Sequence, residues 1–258
     1  ALRILTKIER RYPRFDGMNL TIQTIDGIIK HNGPLRGKPT PLLLNLKDSM
    51  KLNFRTFGTG EAQLAAIADD IAYNAHDIDD GLRAQIFKIN DLEKLSLVAP
   101  LISRIKANFG SIEESRFISE LVRTIVNKLV ADILAETANR LQKIRPVDPE
   151  DIMNAEQPIV SFSKELTPKI KQLREFLFAK MYRHYKVNRM ASKAKRVISE
   201  LFNLFMEEPI VLPDEWRYLD KEDLKNNQAR LISDYIAGMT DRYALLEYDR
   251  LFDFKAKL

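Results

Sequence analysis

There is no cysteine among the 258 residues, which excludes disulfides, thiolate nucleophiles and cysteine-held zinc. The absence fits a reducing compartment, and a cytoplasmic location is the expectation. Histidine is scarce too: His31, His76 and His184 are the only imidazoles available to a site. No uninterrupted apolar run reaches the roughly 18 to 20 residues that a membrane span needs. The opening ALRILTKIERR is too charged for a signal peptide, so no membrane partner is expected. Nor is there a strong charge of one sign. Lys and Arg number 41 against 36 Asp and Glu, a net +5 that favours anionic partners in general without singling out nucleic acid. Glycine is sparse at nine residues, and with long amphipathic stretches this argues for helices over a sheet with many tight turns.

What is present describes a soluble globular chain, 45% hydrophobic and 30% charged, long enough for one large helical domain or two modest ones. A helix is expected over residues 1–12, starting abruptly without a capping residue and stopped by Pro13, as if the chain were entered partway. A second is expected over 20–31, with Thr21 as N-cap and Asn32-Gly33-Pro34 as a stop. Residues 33–60, rich in Pro and Gly, read as a long loop. Helices follow over 61–80, over 91–107 with a break at Pro100, and over 111–142, where Phe117, Leu121, Val122, Ile125, Leu129, Ile133 and Leu134 recur at helical spacing. Prolines 146, 149 and 158 mark a connection, and further helices are expected at 167–182, 190–207 and 228–252. The fold class is all-α. The expected division is between residues 1–142 and residues 143–258, two helical regions.

One segment carries chemistry: EAQLAAIADDIAYNAHDIDDGLRA, residues 61–84. At about 100° per residue, Leu64, Ile67, Ile71, Ala75, Ile78 and Leu82 share one side of a helix, which is expected to be buried. Opposite them Asp69, Tyr73, His76, Asp77 and Asp80 fall in an arc of roughly 100°. Five aspartates lie between 69 and 80 with no Lys or Arg among them. Like charges at i,i+4 spacing disfavour a helix, and Asp is itself a poor helix former. Such a face calls for a compensating cation or basic partner. A solvated acidic face is the plainer reading, but it leaves out Tyr73, an aromatic suited to meeting a ring or a sugar.

The wording ADDIAYNAHDIDDGLRA (68–84) resembles a signature of the HD-domain deoxynucleoside triphosphate triphosphohydrolases, the dGTPase-like proteins. NLTIQTIDGIIKHNGP (19–34), REFLFAKMYRHYKV (174–187) and SDYIAGMTDRYALLEYDRLF (233–252) are similar to the same family in the same order, so the resemblance covers most of the chain. It implies an HD-domain-like helical bundle with additional C-terminal helices, residues 1–142 being the later part of the catalytic domain and residues 143–258 packing on it and closing the nucleotide pocket. It also implies metal-dependent hydrolysis of a dNTP, dGTP-like, to deoxynucleoside and triphosphate.

By the resemblance, Asp69 is a ligand to a divalent ion of the Mg, Mn, Fe or Co class, Tyr73 packs on the deoxyribose, and Asp77 binds the sugar 3′-hydroxyl. Lys30 contacts phosphate, and Tyr182, His184 and Lys186 close over sugar and phosphates. The family's other metal ligands, a His and a His-Asp pair, are expected upstream of Ala1. The His76-Asp77 dipeptide sits at the sugar-binding turn, and neighbouring helix residues point about 100° apart. The 258-residue chain is therefore expected to be an incomplete, inactive part that does not retain the ion. The partners implied are a dNTP, a nucleotide effector or single-stranded DNA, and further copies in a homo-oligomer.

Other readings rest on the residues alone. Lys30 suits a helix C-terminus electrostatically, and His31 suits a cap. The stretch 181–196 holds Arg183, Lys186, Arg189, Lys193, Lys195 and Arg196 with Tyr182 and Tyr185 interleaved, which fits either a solvated basic face or a nucleic-acid-binding module. Asp241-Arg242 is a candidate ion pair and Trp216 a packing anchor. A non-catalytic helical scaffold is the remaining alternative.

Overall fold

The computed structural model describes residues 1–217 and 221–253. It is 70% helical, and no strand occurs among the described residues. The helices are α1 Ile22–Ile29, α2 Pro41–Met50, α3 Gly60–Arg83, α4 Ile89–Leu92, α5 Ala99–Phe109, α6 Glu114–Ile144, α7 Pro149–Met153, α8 Leu166–Leu177, α9 Tyr185–Glu207, α10 Asp214–Arg217, α11 Lys221–Ala237 and α12 Asp241–Phe252. None of the described helices is long and apolar enough to cross a membrane. The chain forms two compact units, Thr21–His184 and Ala1–Leu20 with Tyr185–Leu258. Residue 142, the expected boundary, lies near the end of α6.

Local chemistry explains most of the element ends. Thr21 accepts from the Thr24 amide at the start of α1, as its sequence suggested, and Thr59 accepts from Ala62 N at the start of α3. The expected loop 33–60 is partly helix: Thr40 caps it and Pro41 occupies its first turn, where a missing N–H costs nothing. The expected helix 1–12 shrinks to a π-helical turn at Ile4–Ile8, with no buried residue to hold a longer one. The stretch 228–252 splits at Gly238, and Thr240 caps α12.

In the unit Thr21–His184, α3 lies along α6 and also meets α1 and α8. Its core includes Ile71, Ile78, Leu82, Ile102, Leu121, Ile125, Leu129, Leu173 and Leu177. The buried stripe of α6 is narrower than its sequence suggested, because Val122 is half-buried and Leu134 is exposed. Helix α1 crosses α3 closely at Gly27, where a Cβ would stand 2.8 Å from Ala62 Cβ. Gln63 fastens the start of α3: its Oε1 accepts from Ile159 N at 2.8 Å and Val160 N at 3.2 Å, while its Nε2 donates to Gly58 O at 3.0 Å.

The other unit has its own core of Val197, Leu201, Phe205, Leu212, Ile232, Tyr235 and Ile236. Trp216 packs on Tyr235 with ring centroids 5.2 Å apart, the anchoring role expected of it. Tyr235 donates to buried Glu247 at 3.1 Å, and Arg3 reaches from the start of the chain to form a paired contact with Asp234. Asp241 and Arg242 are both exposed.

Candidate nucleotide site

Helix α3 carries the acidic face. Ile71, Ala75, Ile78 and Leu82 are buried as its periodicity requires, and Ile67 is partly buried. Leu64 departs from this, being exposed one turn from the helix start. On the opposite side the aspartates do not behave alike. Asp69, Asp70 and Asp80 are exposed, whereas Asp77, expected on the outer arc, is buried at 8% exposure.

The cause is α8. Leu166, Ile170, Leu173 and Leu177 form its buried stripe, and Phe87 meets Phe176 edge-on at 5.1 Å. The helix then widens into a π turn, Phe178–Tyr182, a rare geometry that recurs at functional sites. This turn brings Tyr182 over the second half of α3, where its hydroxyl donates a hydrogen bond to Asp77 Oδ2. Burial raises the Asp77 pKa above the ordinary aspartate value, an effect that the Tyr182 hydrogen bond only partly opposes. The Tyr182 hydroxyl is pushed well upward, first by burial and then by its hydrogen bond to Asp77.

Tyr73 stands beside this pair. Its ring is 58% exposed and its centroid is 6.3 Å from that of Tyr182. Asp77, Tyr182 and Tyr73 thus combine a shielded carboxylate, a phenol that orients it and an open aromatic face. Such a surface can accept a hydrogen bond from a hydroxyl while a ring or sugar lies against the tyrosine.

The remaining expected residues fall elsewhere or in different states. Asp69 keeps a carboxylate that is 70% exposed, with His31 Nε2 3.6 Å away. Lys30 does not project toward an open surface. Its side chain is fully buried, with the ammonium 2.8 Å from Asp26 Oδ2, donating to Thr56 Oγ1 at 2.8 Å and to the Phe57 carbonyl at 3.2 Å. Neither Asp26 oxygen accepts a hydrogen bond of good geometry, so the nearby ammonium is its compensation. His184 is half-buried just after the π turn, and Lys186 is exposed on α9, in the other compact unit.

Two contacts were not anticipated from sequence. Arg174 of α8 lies 2.9 Å from Asp70, which supplies the acidic face with a cation, and His31 approaches Asp69. Both join residues distant in the chain, so helical spacing carries no signal of them.

A divalent ion bound by protein side chains generally takes three or more of them. No group of three or more His, Cys, Asp or Glu side chains suited to a metal occurs among the described residues. Asp69 offers one exposed carboxylate and His31 one imidazole, so the residues present do not by themselves fit such an ion.

Comparison with known proteins follows the same lines. Residues 160–250 match the family of the phosphohydrolase-associated domain. Over 98% of its length the chain is 42% identical to a deoxyguanosinetriphosphate triphosphohydrolase-like protein of Caulobacter sp. (strain K31). Proteins of the same description from Parvibaculum lavamentivorans and Bartonella quintana are 43% and 44% identical over the same share. The chain is thus similar to these deoxyguanosinetriphosphate triphosphohydrolase-like proteins over nearly all of its own length and spans about 65% of theirs.

Proposed function

We propose that this chain carries the nucleoside-facing wall of a deoxynucleoside triphosphate triphosphohydrolase, directed to dGTP as the names of its relatives suggest. The observation that carries the reading is the shielded Asp77–Tyr182 pair beside the exposed ring of Tyr73. In it, Tyr73 receives the deoxyribose, whose 2′ carbon bears no hydroxyl and packs well on a ring. Asp77 accepts the hydrogen bond of the 3′-hydroxyl, and Tyr182 holds the carboxylate in place. A site that hydrogen-bonds a particular hydroxyl rejects analogues lacking it strongly, because its own polar groups are then left unpaired. Arg174 and His31, beside Asp70 and Asp69, are placed on this face to meet phosphate oxygens.

The overall reaction is water plus dNTP giving deoxynucleoside and inorganic triphosphate. Asp69 contributes one carboxylate toward a divalent ion and no complete set of ligands, so hydrolysis by these 258 residues alone is not expected. Calorimetric titration with dGTP, 2′,3′-dideoxy-GTP and GTP tests the binding reading. We expect dGTP to bind at least about tenfold, or 1.4 kcal/mol, more tightly than either analogue. The preference over 2′,3′-dideoxy-GTP should vanish in Asp77→Ala, whereas the preference over GTP should fall in Tyr73→Ala, which removes the ring that meets the 2′ carbon. Equal binding of dGTP and 2′,3′-dideoxy-GTP would sink the assignment of Asp77. Steady triphosphate release from the verified chain, with added Mn²⁺ or Mg²⁺, would sink the expectation of inactivity while leaving the binding wall intact.

A further inference from the structure

Helix α8 and the π turn that ends it meet α3 at two points, and the spacing differs on the two sides. Arg174 of α8 lies 2.9 Å from Asp70, and Tyr182 of the π turn hydrogen-bonds Asp77. On α3 the two carboxylates are seven residues apart. That is about 700° of rotation, only about 20° short of two full turns, so they share one flank. Arg174 and Tyr182 are eight residues apart. In an unbroken α-helix this is about 800°, which would carry the phenol about 80° round from the guanidinium. A π turn closes from i to i+5 instead of i to i+4, so it holds one more residue and takes back about 100°. The turn Phe178–Tyr182 makes that correction, and eight residues then act as seven.

The same count identifies what replaces Tyr182 where the turn is absent. Met181 is the seventh residue after Arg174, so with α geometry throughout it is Met181 that faces Asp77. The turn is lightly held. None of its five residues is buried, whereas α8 before it buries Leu166, Ile170, Leu173 and Leu177. Met181 packs only in part against the core, and an unbranched thioether adapts to either setting. The phenol, meanwhile, leaves Asp77 at 8% exposure. A hydroxyl from outside reaches that carboxylate only when the cover lifts.

We propose that the π turn is a latch with two registers: in one Tyr182 closes on Asp77, and in the other Met181 faces Asp77 and the phenol swings out by about 100°. The proposal rests on the reading of Asp77 as acceptor of the sugar 3′-hydroxyl, because it supplies the way in to that carboxylate. An incoming deoxynucleoside meets the exposed ring of Tyr73 and reaches Asp77 in the open register. The turn then closes, with Tyr182 on one carboxylate oxygen and the 3′-hydroxyl on the other. The buried stripe of α8 keeps the helix ahead of the turn in place throughout. Methionine has no hydrogen to donate to Asp77, so the open register is the minor state of the free chain, on the order of 0.1–10%.

The test uses the intact 258-residue chain, labelled with ¹³C at its methionine methyl groups. The Met181 methyl, assigned through Met181→Leu, should show microsecond-to-millisecond relaxation dispersion that dGTP suppresses. Deleting Ala179, an exposed residue of the turn, makes Tyr182 the seventh residue after Arg174, so plain α geometry holds it on Asp77. In this variant the dispersion should disappear and the preference for dGTP over 2′,3′-dideoxy-GTP should persist. Stopped-flow association and dissociation of dGTP should each slow about tenfold with Kd altered less than about twofold, as for a lid that no longer opens. Inserting an alanine after Ala179 places Tyr182 nine residues from Arg174 and should abolish the preference. Circular dichroism checks that both variants fold, and the dispersion measurement on the parent needs neither. A free parent without Met181 dispersion overturns the latch, as do parent rates in the deletion variant or a preference kept by the insertion variant. A parent that shows the dispersion but binds both nucleotides equally supports the latch and overturns the reading of Asp77.

Discussion

Helices α3 and α9 are nearly equal in length, 24 and 23 residues, and each concentrates charge of one sign. Helix α3 takes one of its aspartates out of water; α9 leaves its whole cationic half in it. The difference lies in what packs alongside. Tyr182 descends on α3 from the π turn and gives Asp77 a donor, so burying that carboxylate is tolerable. Asp69, two turns earlier on the same helix, has no such cover and stays in solvent. Over residues 188–196 of α9 no side chain is buried at all. Charge on a helix is therefore not one property. It becomes a buried polar site where a neighbouring element covers it and supplies a hydrogen bond, and an exposed charged surface where the helix is left in solvent.

The comparison can be broken most forcefully at the core of α3. Ile78 is fully buried, and Ile78→Ala should cost about 2–5 kcal/mol, read as a fall in the denaturant midpoint. Next comes Gly81→Ala on the same helix: the added Cβ would stand 2.2 Å from Phe87 Cε1, an overlap expected to cost about 1–3 kcal/mol by the same measurement. Tyr182→Phe leaves Asp77 buried without its donor and should cost about 1–3 kcal/mol at neutral pH.

The pH dependence of that last effect sharpens the contrast. A carboxyl whose folded pKa is raised stabilises the fold relative to the unfolded chain only when protonated. The contribution of Asp77 should thus be full below about pH 4, its unfolded value, and be lost as pH rises through the raised folded value. Urea midpoints of wild type and Asp77→Asn across that range should converge or cross with rising pH; parallel curves would count against a raised value. Smallest of all, Met190→Ala on bare α9 should stay within about 0.5 kcal/mol of wild type.

The helices that position the site were largely legible, because burial of an apolar stripe leaves a period in the sequence. Thr21, Ile71, Ile78 and Leu82 sit as that period and the capping rule require. A wheel, however, treats the unburied side of a helix as one face. It could not separate Asp77 from Asp69, since the separation is made by α8, about a hundred residues further along the chain. Lys30 shows the same limit from the other side. Its position at the end of α1 suits a free cation, yet Asp26, Thr56 and Phe57 converge on its ammonium. Helix α2 was hidden by its prolines, which read as loop residues although Pro41 sits in the first turn, where proline is tolerated.

The paired contact between Arg3 and Asp234 spans 231 positions of sequence, and it has a bearing on how the protein comes off the ribosome. The unit that contains it is made from the first and the last portions of the chain, with Thr21–His184 between them. Domains generally fold as units during synthesis, N-terminal portions first, but here residues 1–20 precede the whole of Thr21–His184 and meet α11 only after it. The intervening unit can complete itself meanwhile from contacts within its own stretch. Closing so wide a loop is slow relative to local helix formation, so docking of residues 1–20 on α11 should follow formation of the intervening unit.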